Sequence, residues 1–387
     1  MKVVRVITRL NVGGPGKTAV ADSVALAAAG VESVLVIGAV DRHEDEIAIE
    51  APGVRLVRLP ELVRPIAPGR DCRAWRSLRD LLRRERPHLV HTHLAKSGVL
   101  ARLAACSLAQ RPRLVHTYHG HVFRGYFSWP VARPLLALER SVAARTDRLI
   151  AVSPRVRDEL VDRFRIGDRD RFRVVEGGAP DSVEGYLPRA AARAELGLAQ
   201  DDVVVAVPAR LAPIKGHPVL FEALEQLARR GTVVRALLIG GGVERARLEA
   251  LVARRHLAGQ VAFAGFMNQP RRWYSAFDAI VLPSVNEGFP MALLEALLEG
   301  VPVIATDVGG VADLVRDGED GWLVAANQPA ALTERLAWLV DHLPEARGMG
   351  ARGQARLRGT YTPERHRQKL FEVYEELGLE LRCEATA

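Results

Sequence analysis

Cysteine is scarce in this sequence of 387 residues, and no apolar stretch is long enough to cross a membrane. The three cysteines, Cys72, Cys106 and Cys383, lie far apart, so they lack the close spacing of a zinc site or a disulfide framework. A membrane-spanning helix needs about 18 consecutive apolar residues, and no segment of that length is present. No charged and then apolar export signal opens the chain, so we expect a cytoplasmic protein.

Acidic residues are outnumbered by basic ones. Lys and Arg number 54 against 46 Asp and Glu, which gives a net charge of +8. A positive surface favours anionic partners such as nucleotides, diphosphates and acidic lipid. No helix-turn-helix, zinc-finger or RNA-stacking motif is present, so we expect no nucleic-acid partner.

Short apolar runs alternate with helical stretches along the chain. In the second half, each run ends at or near Gly, Pro, Asp or Asn, as in the strands of a parallel sheet. In the first half we expect strands near residues 2–8, 33–37, 88–92, 113–117, 147–152 and 172–176. In the second half we expect strands near 203–208, 236–242, 261–266, 278–284 and 301–310.

Residues 177–200 interrupt this alternation with Gly, Pro and Ser, and the length alone predicts more than one domain. We therefore expect a Rossmann-like domain at 1–180, a linker at 181–200 and a second Rossmann-like domain at 201–360. A terminal segment at 361–387 would contain the last helix.

Two cations follow the first strand of the second half. Arg210 and Lys215 lie in the loop between that strand and a helix that begins near Gly216. Open α/β sheets bind ligands at the carboxyl ends of their strands. A planar guanidinium and a compact ammonium together suit a diphosphate.

The segment EGFPMALLE, from Glu287 to Glu295, follows a later strand and opens a helix. Pro290 suits the first helical position, and Gly288 lets the backbone approach a ligand. The free N–H groups of the first helical turn would face an anion. The two carboxylates could then hold different hydroxyls of one extended ligand; the alternative is a surface Glu followed by a solvated helix Glu.

In their order along the chain, these motifs resemble those of the family 4 retaining glycosyltransferases, which have the GT-B architecture. The resemblance implies an α/β fold of two Rossmann-like parallel-sheet domains that face a central cleft. The N-terminal domain would bind the acceptor, the C-terminal domain the donor, and the last helix would pack back on the N-terminal domain. The matching elements are Arg210 with Lys215 and Gly216, the glycine turn at 240–242, Phe263 with Gly265, Pro283 with Ser284, the two glutamates, and Gly309 with Gly310.

The resemblance also implies a nucleotide diphosphate sugar, with UDP as the expected nucleotide, and no other cofactor. Arg210 and Lys215 would stabilise the departing diphosphate, while Glu287 would hold sugar hydroxyls and Glu295 the ribose. The rest of the expected donor site consists of Gly13 and Gly14 in the first loop, Phe266 and Met267 against the base, and Gly288, Phe289, Pro290 and Met291 at the helix start.

Histidines cluster at two predicted strand ends in the first half. His91 and His93 share one face of a strand, so a zinc site is one interpretation, although no Cys or carboxylate has ligand spacing there. The other interpretation is a polar lining of the substrate site. In the resembled family, the His of a Thr-x-His motif points at the reacting sugar, and residues 117–119 fit that motif. His119 is therefore the expected catalytic histidine, together with Glu287, Arg210 and Lys215, and His91, His93 and His121 would have supporting or structural roles.

Two short motifs suggest other chemistry but lack the context for it. GGPGKT resembles a phosphate-binding P-loop, but Asn11 occupies the position of the first glycine. The tripeptide Asp168-Arg169-Asp170 matches the metal-binding motif of another glycosyltransferase fold, but it lies in a polar, Arg-rich stretch instead of at a strand end. We therefore expect a surface turn there and no divalent metal.

Two segments suggest contact with a membrane surface. Residues 73–87 form a basic amphipathic helix, which is alternatively an ordinary surface helix that covers a sheet. Residues 123–130 place four aromatic side chains beside Arg124, either as an acceptor-site or membrane-contact loop or as a buried crossover. We accordingly expect a cytoplasmic enzyme with possible peripheral contact at an acidic inner membrane face.

The predicted function is retaining transfer of a sugar from a nucleotide diphosphate sugar to a lipid-linked or small hydroxyl acceptor. Assembly of cell-surface polysaccharide or glycolipid is the expected setting. Two departures from the family pattern, Ala209 and the segment 176–180, leave alternatives open. These are a GT-B nucleotide-sugar epimerase or hydrolase, and a non-catalytic, lipid-associated GT-B protein.

Overall fold

The computed structural model describes residues 1–10, 14–39, 50–120, 123 and 129–381. Gly13, His121 and most of the 123–130 loop lie outside these ranges. The chain divides into two compact units. The first unit contains Met1–Gly177 and Glu364–Ala387, and the second unit contains Gly178–Pro363.

The first unit is built on a seven-stranded, all-parallel sheet. Its strands are β1 (Lys2–Ile7), β2 (Glu32–Gly38), β3 (Val54–Leu59), β4 (Leu89–His93), β5 (Arg113–Tyr118), β6 (Arg148–Ala151) and β7 (Phe172–Val174). They lie in the order β3-β2-β1-β4-β5-β6-β7. The helices between them are α1 (Gly14–Ala28), α2 (Pro68–Glu85), α3 (Ala95–Cys106), α4 (Trp129–Ala143) and α5 (Pro154–Asp158).

The second unit repeats this plan with six parallel strands. They are β8 (Val204–Pro208), β9 (Arg235–Ile239), β10 (Val261–Gly265), β11 (Ala279–Leu282), β12 (Val303–Thr306) and β13 (Gly321–Val324), in the order β10-β9-β8-β11-β12-β13. The helices are α6 (Arg189–Glu195), α7 (His217–Arg229), α8 (Arg245–Arg254), α9 (Met291–Leu298), α10 (Val311–Leu314), α11 (Pro329–Asp341) and α12 (Leu343–Leu357). The last helix, α13 (Pro363–Glu375), belongs to the first unit from Glu364 onwards.

Central strands of both sheets are buried along their length because helices cover both faces. β8, for example, buries Val204, Val205 and Val207 completely. Runs of branched apolar residues are what such doubly covered strands require. The predicted fold class, an α/β protein with two Rossmann-like parallel sheets, is confirmed.

Two strands were missing from the sequence prediction, and both lie at the edge of a sheet. β3 has the sequence VRLVRL, and all six of its residues are exposed or half-buried. β13 has only four residues. An edge strand needs less apolar sequence because it pairs on one side only, so the apolar runs that mark central strands do not mark these two.

Part of the stretch predicted as a linker is integral to the second unit. α6 presents Arg189 and Arg193 to the buried carboxylate of Asp278, at 2.6 and 2.9 Å. Arg193 is itself completely buried. A buried ion pair of this kind ties residues 189–195 to the strand that Asp278 precedes, so these residues are folded into the unit.

The basic helix α2 covers the sheet of the first unit. Leu78, Leu81 and Leu82 are buried in one apolar cluster with Val4 and Val90 of the strands. Its apolar face is therefore not available to lipid, and its solvent-exposed face carries arginines. Across the described ranges, we find no helix both long and apolar enough to span a membrane.

Candidate active site

The candidate site begins where the strand order of the second sheet reverses, between β8 and β11. Ligands of doubly wound sheets bind at the carboxyl ends of the strands beside such a reversal. The loop after β8 carries Arg210 and Lys215, and the loop after β11 carries Ser284 and Glu287. The topology therefore brings the two sequence motifs, which are distant along the chain, to one edge of the sheet.

The Glu287 carboxylate accepts hydrogen bonds from both loops. Its Oε1 lies 2.5 Å from Nζ of Lys215 and 2.6 Å from Oγ of Ser284. Glu287 is only 9% exposed, so the ammonium balances a carboxylate that is largely removed from water. An ammonium has three donors, and Lys215 therefore keeps N–H groups for a second anion.

The loop that carries Glu287 is fixed by backbone contacts on both sides. The Val285 N–H donates to the Ile214 carbonyl at 2.9 Å, which joins it to the loop after β8. The Gly310 N–H donates to the Gly288 carbonyl at 3.1 Å, which joins it to the loop after β12. Because these bonds come from separate strands, Glu287 is held in place without a ligand.

Two glycines allow these loops to approach so closely. Gly216 has φ +66°, and a Cβ there would overlap the carbonyl oxygen of Pro283. Gly309 has φ +50°, and a Cβ there would overlap the backbone carbonyl of Glu287. Both the left-handed conformation and the lack of space require glycine.

Helix α9 begins one residue later than the sequence predicted. Pro290 has ψ 90°, outside the helical region, and it therefore lies before the first helical residue, Met291. The Pro290 carbonyl accepts the N–H groups of Leu293 and Leu294, at 2.9 and 3.3 Å. The N–H groups of Met291 and Ala292 precede the first helical hydrogen bond and can be donated to an anion.

Glu295, the predicted ribose ligand, is half-buried on α9 and lies near Tyr274. Burial raises the pKa of the Tyr274 hydroxyl well above its usual value, and the Glu295 carboxylate adds to that rise. The contact of Glu295 with ribose stays a prediction.

The expected base-binding residues follow β10. Phe266 is 47% exposed, whereas Met267 packs partly against the apolar core. The glycine turn after β9 lies beside them, because the Gly240 N–H donates to the Gly265 carbonyl at 2.7 Å. An exposed aromatic ring next to this strand edge can stack on a base.

The remaining member of the helix-start group, Phe289, is half-buried. Its ring lies 5.3 Å from the ring of Tyr361, measured between centroids. Phe289 therefore has a structural contact in addition to any contact of its backbone with a ligand.

His119 lies in the first unit, directly after β5. Its Nε2 is 2.9 Å from Nδ1 of His93, and the two rings stack at a centroid distance of 5.2 Å. Burial lowers the pKa of His119 to about 4, so the imidazole is neutral at neutral pH. The same cause holds the pKa of His93 well below its usual value.

A buried ionic group lies beneath these histidines, and the sequence prediction missed it. Arg5, in the middle of β1, is completely buried and pairs with Asp22 of α1 at 2.6 Å. His366 of α13 approaches the other carboxylate oxygen of Asp22 at 3.0 Å. The sequence feature that could have revealed it is an arginine between two valines of an apolar strand, since a buried charge needs a partner.

Gly14 is the first residue of α1, while Gly13 lies outside the described residues. Residues 169–171 form a short turn, and the Asp168 side chain before it is 78% exposed. Arg169, which lies between the two aspartates of the motif, pairs with Asp158 and Asp162 of a neighbouring segment. Within the part of the chain that is described, three or more His, Cys, Asp or Glu side chains do not converge as a metal site would require.

Two family profiles and several curated relatives match this chain. "Glycosyltransferase Family 4" matches residues 12–182, and "Glycosyl transferases group 1" matches residues 188–356. The D-inositol 3-phosphate glycosyltransferase of Nocardia farcinica is 33% identical over 90% of this chain and 82% of its own length. The chain belongs to the family 4 glycosyltransferases. The relative from Streptomyces griseus, which has the same name, is 34% identical, and the match covers 69% of this chain and 62% of the relative.

Solved structures agree with the fold of this family 4 glycosyltransferase. Sucrose-phosphate synthase from Thermosynechococcus elongatus superimposes with a TM-score of 0.84 at 24% identity, covering 97% of this chain and 99% of the other. Anabaena HepE, solved in complex with UDP and glucose, gives a TM-score of 0.78 at 20% identity, with coverage of 97% and 99%. The family profiles and the curated relatives confirm the expected family and the glycosyltransferase class, and the solved structures confirm the GT-B fold.

Proposed function

We propose that this glycosyltransferase transfers a sugar from a nucleotide diphosphate sugar to a hydroxyl acceptor, with retention of the anomeric configuration. The observation that carries the proposal is the convergence of Lys215, Ser284 and Glu287 at the strand-order reversal of the second sheet, with Arg210 in the same loop as Lys215. Cations, a buried carboxylate and free helix N–H groups there match the parts of a sugar diphosphate. UDP is the proposed nucleotide, a choice supported by the UDP in the HepE structure.

Charge develops on the diphosphate as its bond to the sugar breaks. In this proposal, Lys215 and Arg210 neutralise that charge, and the N–H groups at the start of α9 donate to the phosphate oxygens. Groups that are already oriented need little reorganisation during the reaction, which is why such electrostatic stabilisation is effective. Gly14 at the start of α1 is proposed as a further phosphate contact, Glu295 as the ribose contact, and Phe266 with Met267 as the base contact.

Glu287 is proposed to hold the donor sugar. Its Oε1 is occupied by Lys215 and Ser284, and Oε2 is available to accept a hydrogen bond from a sugar hydroxyl. Lys215 would then contact both the Glu287 carboxylate, which binds the sugar, and the departing phosphate. His119 is the proposed second contact of the sugar.

Retention is proposed to occur by attack on the face from which the diphosphate leaves. The acceptor hydroxyl would pass its proton to an oxygen of the departing phosphate, so that the glycosidic bond breaks as the new one forms. No metal ion is needed in this scheme, because protein cations hold the leaving group.

A small polyol phosphate is the proposed acceptor class, by analogy with the relatives named D-inositol 3-phosphate glycosyltransferases. A lipid-linked saccharide is the alternative, and it would place the enzyme in cell-surface polysaccharide or glycolipid assembly. The exposed arginines of α2, among them Arg73, Arg76 and Arg83, support this alternative because they would be attracted to an acidic membrane surface. Since the apolar face of α2 is buried, membrane contact through this helix would be electrostatic and would weaken with salt.

The test is an activity panel. The protein is incubated with UDP-sugars and with sugars on other nucleotides, alone, with inositol 3-phosphate, or with a lipid-linked saccharide. We expect nucleotide release that depends on an acceptor, and NMR of the product should show the anomeric configuration of the donor. Release without any acceptor would indicate a hydrolase or epimerase, and an inverted product would contradict retention. Sedimentation with acidic vesicles at low and high salt tests the peripheral contact separately.

A further inference from the structure

Arg5 donates hydrogen bonds directly to two members, His93 and Tyr374, of a buried group that also contains His91 and His119. Its guanidinium is completely buried on β1, and it contacts Asp22, His93 and Tyr374. A guanidinium only donates hydrogen bonds and is never deprotonated in proteins. Each atom that Arg5 contacts must therefore act as an acceptor.

The first consequence concerns His93 and His119. Nη1 of Arg5 faces Nε2 of His93 at 3.4 Å, and a donor that faces this nitrogen favours the tautomer in which Nε2 is unprotonated. Burial and the neighbouring charges hold the pKa of His93 well below its usual value, so its ring is neutral and carries its one proton on Nδ1. That proton is donated to Nε2 of His119, 2.9 Å away. His119 is also neutral, and its own proton is thus on Nδ1.

The second consequence concerns Thr117, two residues before His119. Nη2 of Arg5 donates to the Tyr374 hydroxyl oxygen at 2.9 Å. The single proton of that hydroxyl is free to be donated to Nδ1 of His91, 2.6 Å away, which is the direction that the proposal assigns. His91 in turn donates from Nε2 to Oγ1 of Thr117 at 2.7 Å. Thr117 accepts this bond and keeps its own proton to donate.

We propose that Arg5 is a positioning residue that sets the direction of two hydrogen-bond chains, so that His119 presents a donor to the substrate and Thr117 keeps its own proton to donate. In this arrangement the lone pair of His119 is occupied by His93. His119 cannot take a proton from the acceptor and is a hydrogen-bond donor to a substrate oxygen. General-base catalysis by this histidine is thereby excluded.

This inference rests on the proposed function, because it assumes that His119 touches the donor sugar. Its first test is independent of activity. Two-bond ¹⁵N–¹H correlation spectra of the histidine-labelled protein distinguish the two neutral tautomers, with assignments from His93→Asn and His119→Asn. We expect Nδ1–H for His93 and His119 and Nε2–H for His91 at neutral pH. A proton on Nε2 of His119, or a charged ring, would overturn the proposal.

The second test asks whether Arg5 imposes this arrangement. Arg5→Lys keeps a buried donor, whereas Arg5→Met combined with Asp22→Asn removes the donor and its partner charge together. We expect the lysine variant to keep the tautomers, and the double variant to show a mixture at His93 and His119. Its kcat should fall about 10-fold or more with little change in KM for the donor. Unchanged tautomers in a folded double variant would contradict the role of Arg5.

A matched pair at position 119 tests the donor role itself. His119→Asn places an N–H near the position of Nδ1, while His119→Asp has the same shape but only accepts when ionised. We expect the Asn variant to keep kcat within about 10-fold and the Asp variant to lose about 100-fold or more. Equal losses would refute the donor role. If the wild-type protein transfers no sugar at all, the proposed function fails, while the spectra still decide the tautomers.

Discussion

At the scale of single residues, Lys215 has two roles, one toward Glu287 and one toward the proposed ligand. The ammonium neutralises a carboxylate that is 9% exposed, and in the proposed reaction it also neutralises a phosphate. Ser284 donates a hydrogen bond to the same carboxylate oxygen, Oε1. A change at one of these residues therefore affects both the ligand-free site and the bound ligand.

Lys215→Ala should weaken binding of UDP by about 1.5–3 kcal/mol, because a charge-assisted contact with the diphosphate is lost. Isothermal titration calorimetry provides the measurement, and Arg210→Ala should behave similarly. Arg235→Ala is the matched control, since Arg235 is the first residue of β9 and lies at the amino ends of the strands, whereas the site lies at their carboxyl ends. Affinity that is unchanged in both site variants would remove these cations from the donor site.

Glu287→Gln should leave UDP affinity near the wild-type value but lower kcat about 100-fold or more. Gln keeps the shape and an acceptor for Ser284, yet it loses the charge that strengthens the contact with a sugar hydroxyl in the transition state. Steady-state kinetics and calorimetry together separate the two effects. If UDP binding falls along with turnover, Glu287 contacts the nucleotide and not the sugar.

At the scale of secondary-structure elements, the site depends on loops that pack against one another at the strand ends. Gly216 directly precedes α7, has φ +66° and lies against the Pro283 carbonyl. Close contact between the two loops is what brings Lys215 to Glu287. The loops thus position Lys215 and Glu287 through backbone contacts that any side chain at position 216 would prevent.

Gly216→Ala should lower stability by more than the roughly 1–2 kcal/mol that an Ala with positive φ costs by itself. It should also reduce turnover, because the loop must move away from Pro283. Gly231→Ala is the control: Gly231 has φ +79°, but nothing lies within 4 Å of its added Cβ. Urea denaturation and kinetics of both variants give the comparison, and equal effects would show that only the conformation matters.

Helix α13 should be held to the first unit in a pH-dependent way. His366 donates from Nδ1 to the Glu176 carbonyl at 2.6 Å and from Nε2 to Asp22 at 3.0 Å, which requires both nitrogens to be protonated. Burial, which lowers the pKa of His366, is outweighed by the Asp22 carboxylate, so the pKa is raised above 6.5. Asp22 itself is buried, but Arg5 and His366 hold its pKa far below the usual range.

The stabilisation from His366 should be fully present below pH 6.5, its ordinary pKa, and should be lost as the pH rises through the raised value. Hydrogen exchange of peptides from residues 363–375, corrected for the intrinsic rate at each pH, measures it. Protection in the wild-type protein should decrease over this range. His366→Gln, which cannot be charged, should show lower protection and no such dependence, and identical pH profiles would contradict the assignment.

At the scale of the whole molecule, a net charge of +8 and the two cations assigned to the proposed donor site favour metal-independent transfer. Turnover should therefore persist in excess EDTA, and Asp168→Ala should be nearly silent because that side chain lies on an exposed turn. Activity assays with and without chelator, followed by addition of manganese or magnesium, provide the measurement. Activity that returns only with metal would contradict the proposed leaving-group chemistry.

The sequence by itself determined the family, the fold class and most of the central strands. These features depend on local patterns: buried parallel strands are runs of branched apolar residues, and the motifs around Lys215 and Glu287 occur in a characteristic order. Edge strands such as β3 were missed because one open side relaxes that pattern. The start of α9 was misplaced by one residue because the backbone angle of Pro290 follows from the packing of its loop.

Only the tertiary structure decided which side chains meet. Lys215 and Glu287 are 72 positions apart, and Arg5 and Tyr374 are 369 apart, so no local pattern could pair them. Strand order set the first contact, since the reversal at β8 and β11 makes their loops neighbours. The return of α13 to the first unit set the second. Protonation states at His119 follow from such distant contacts, because a hydrogen-bond direction is fixed by the partner and not by the residue itself.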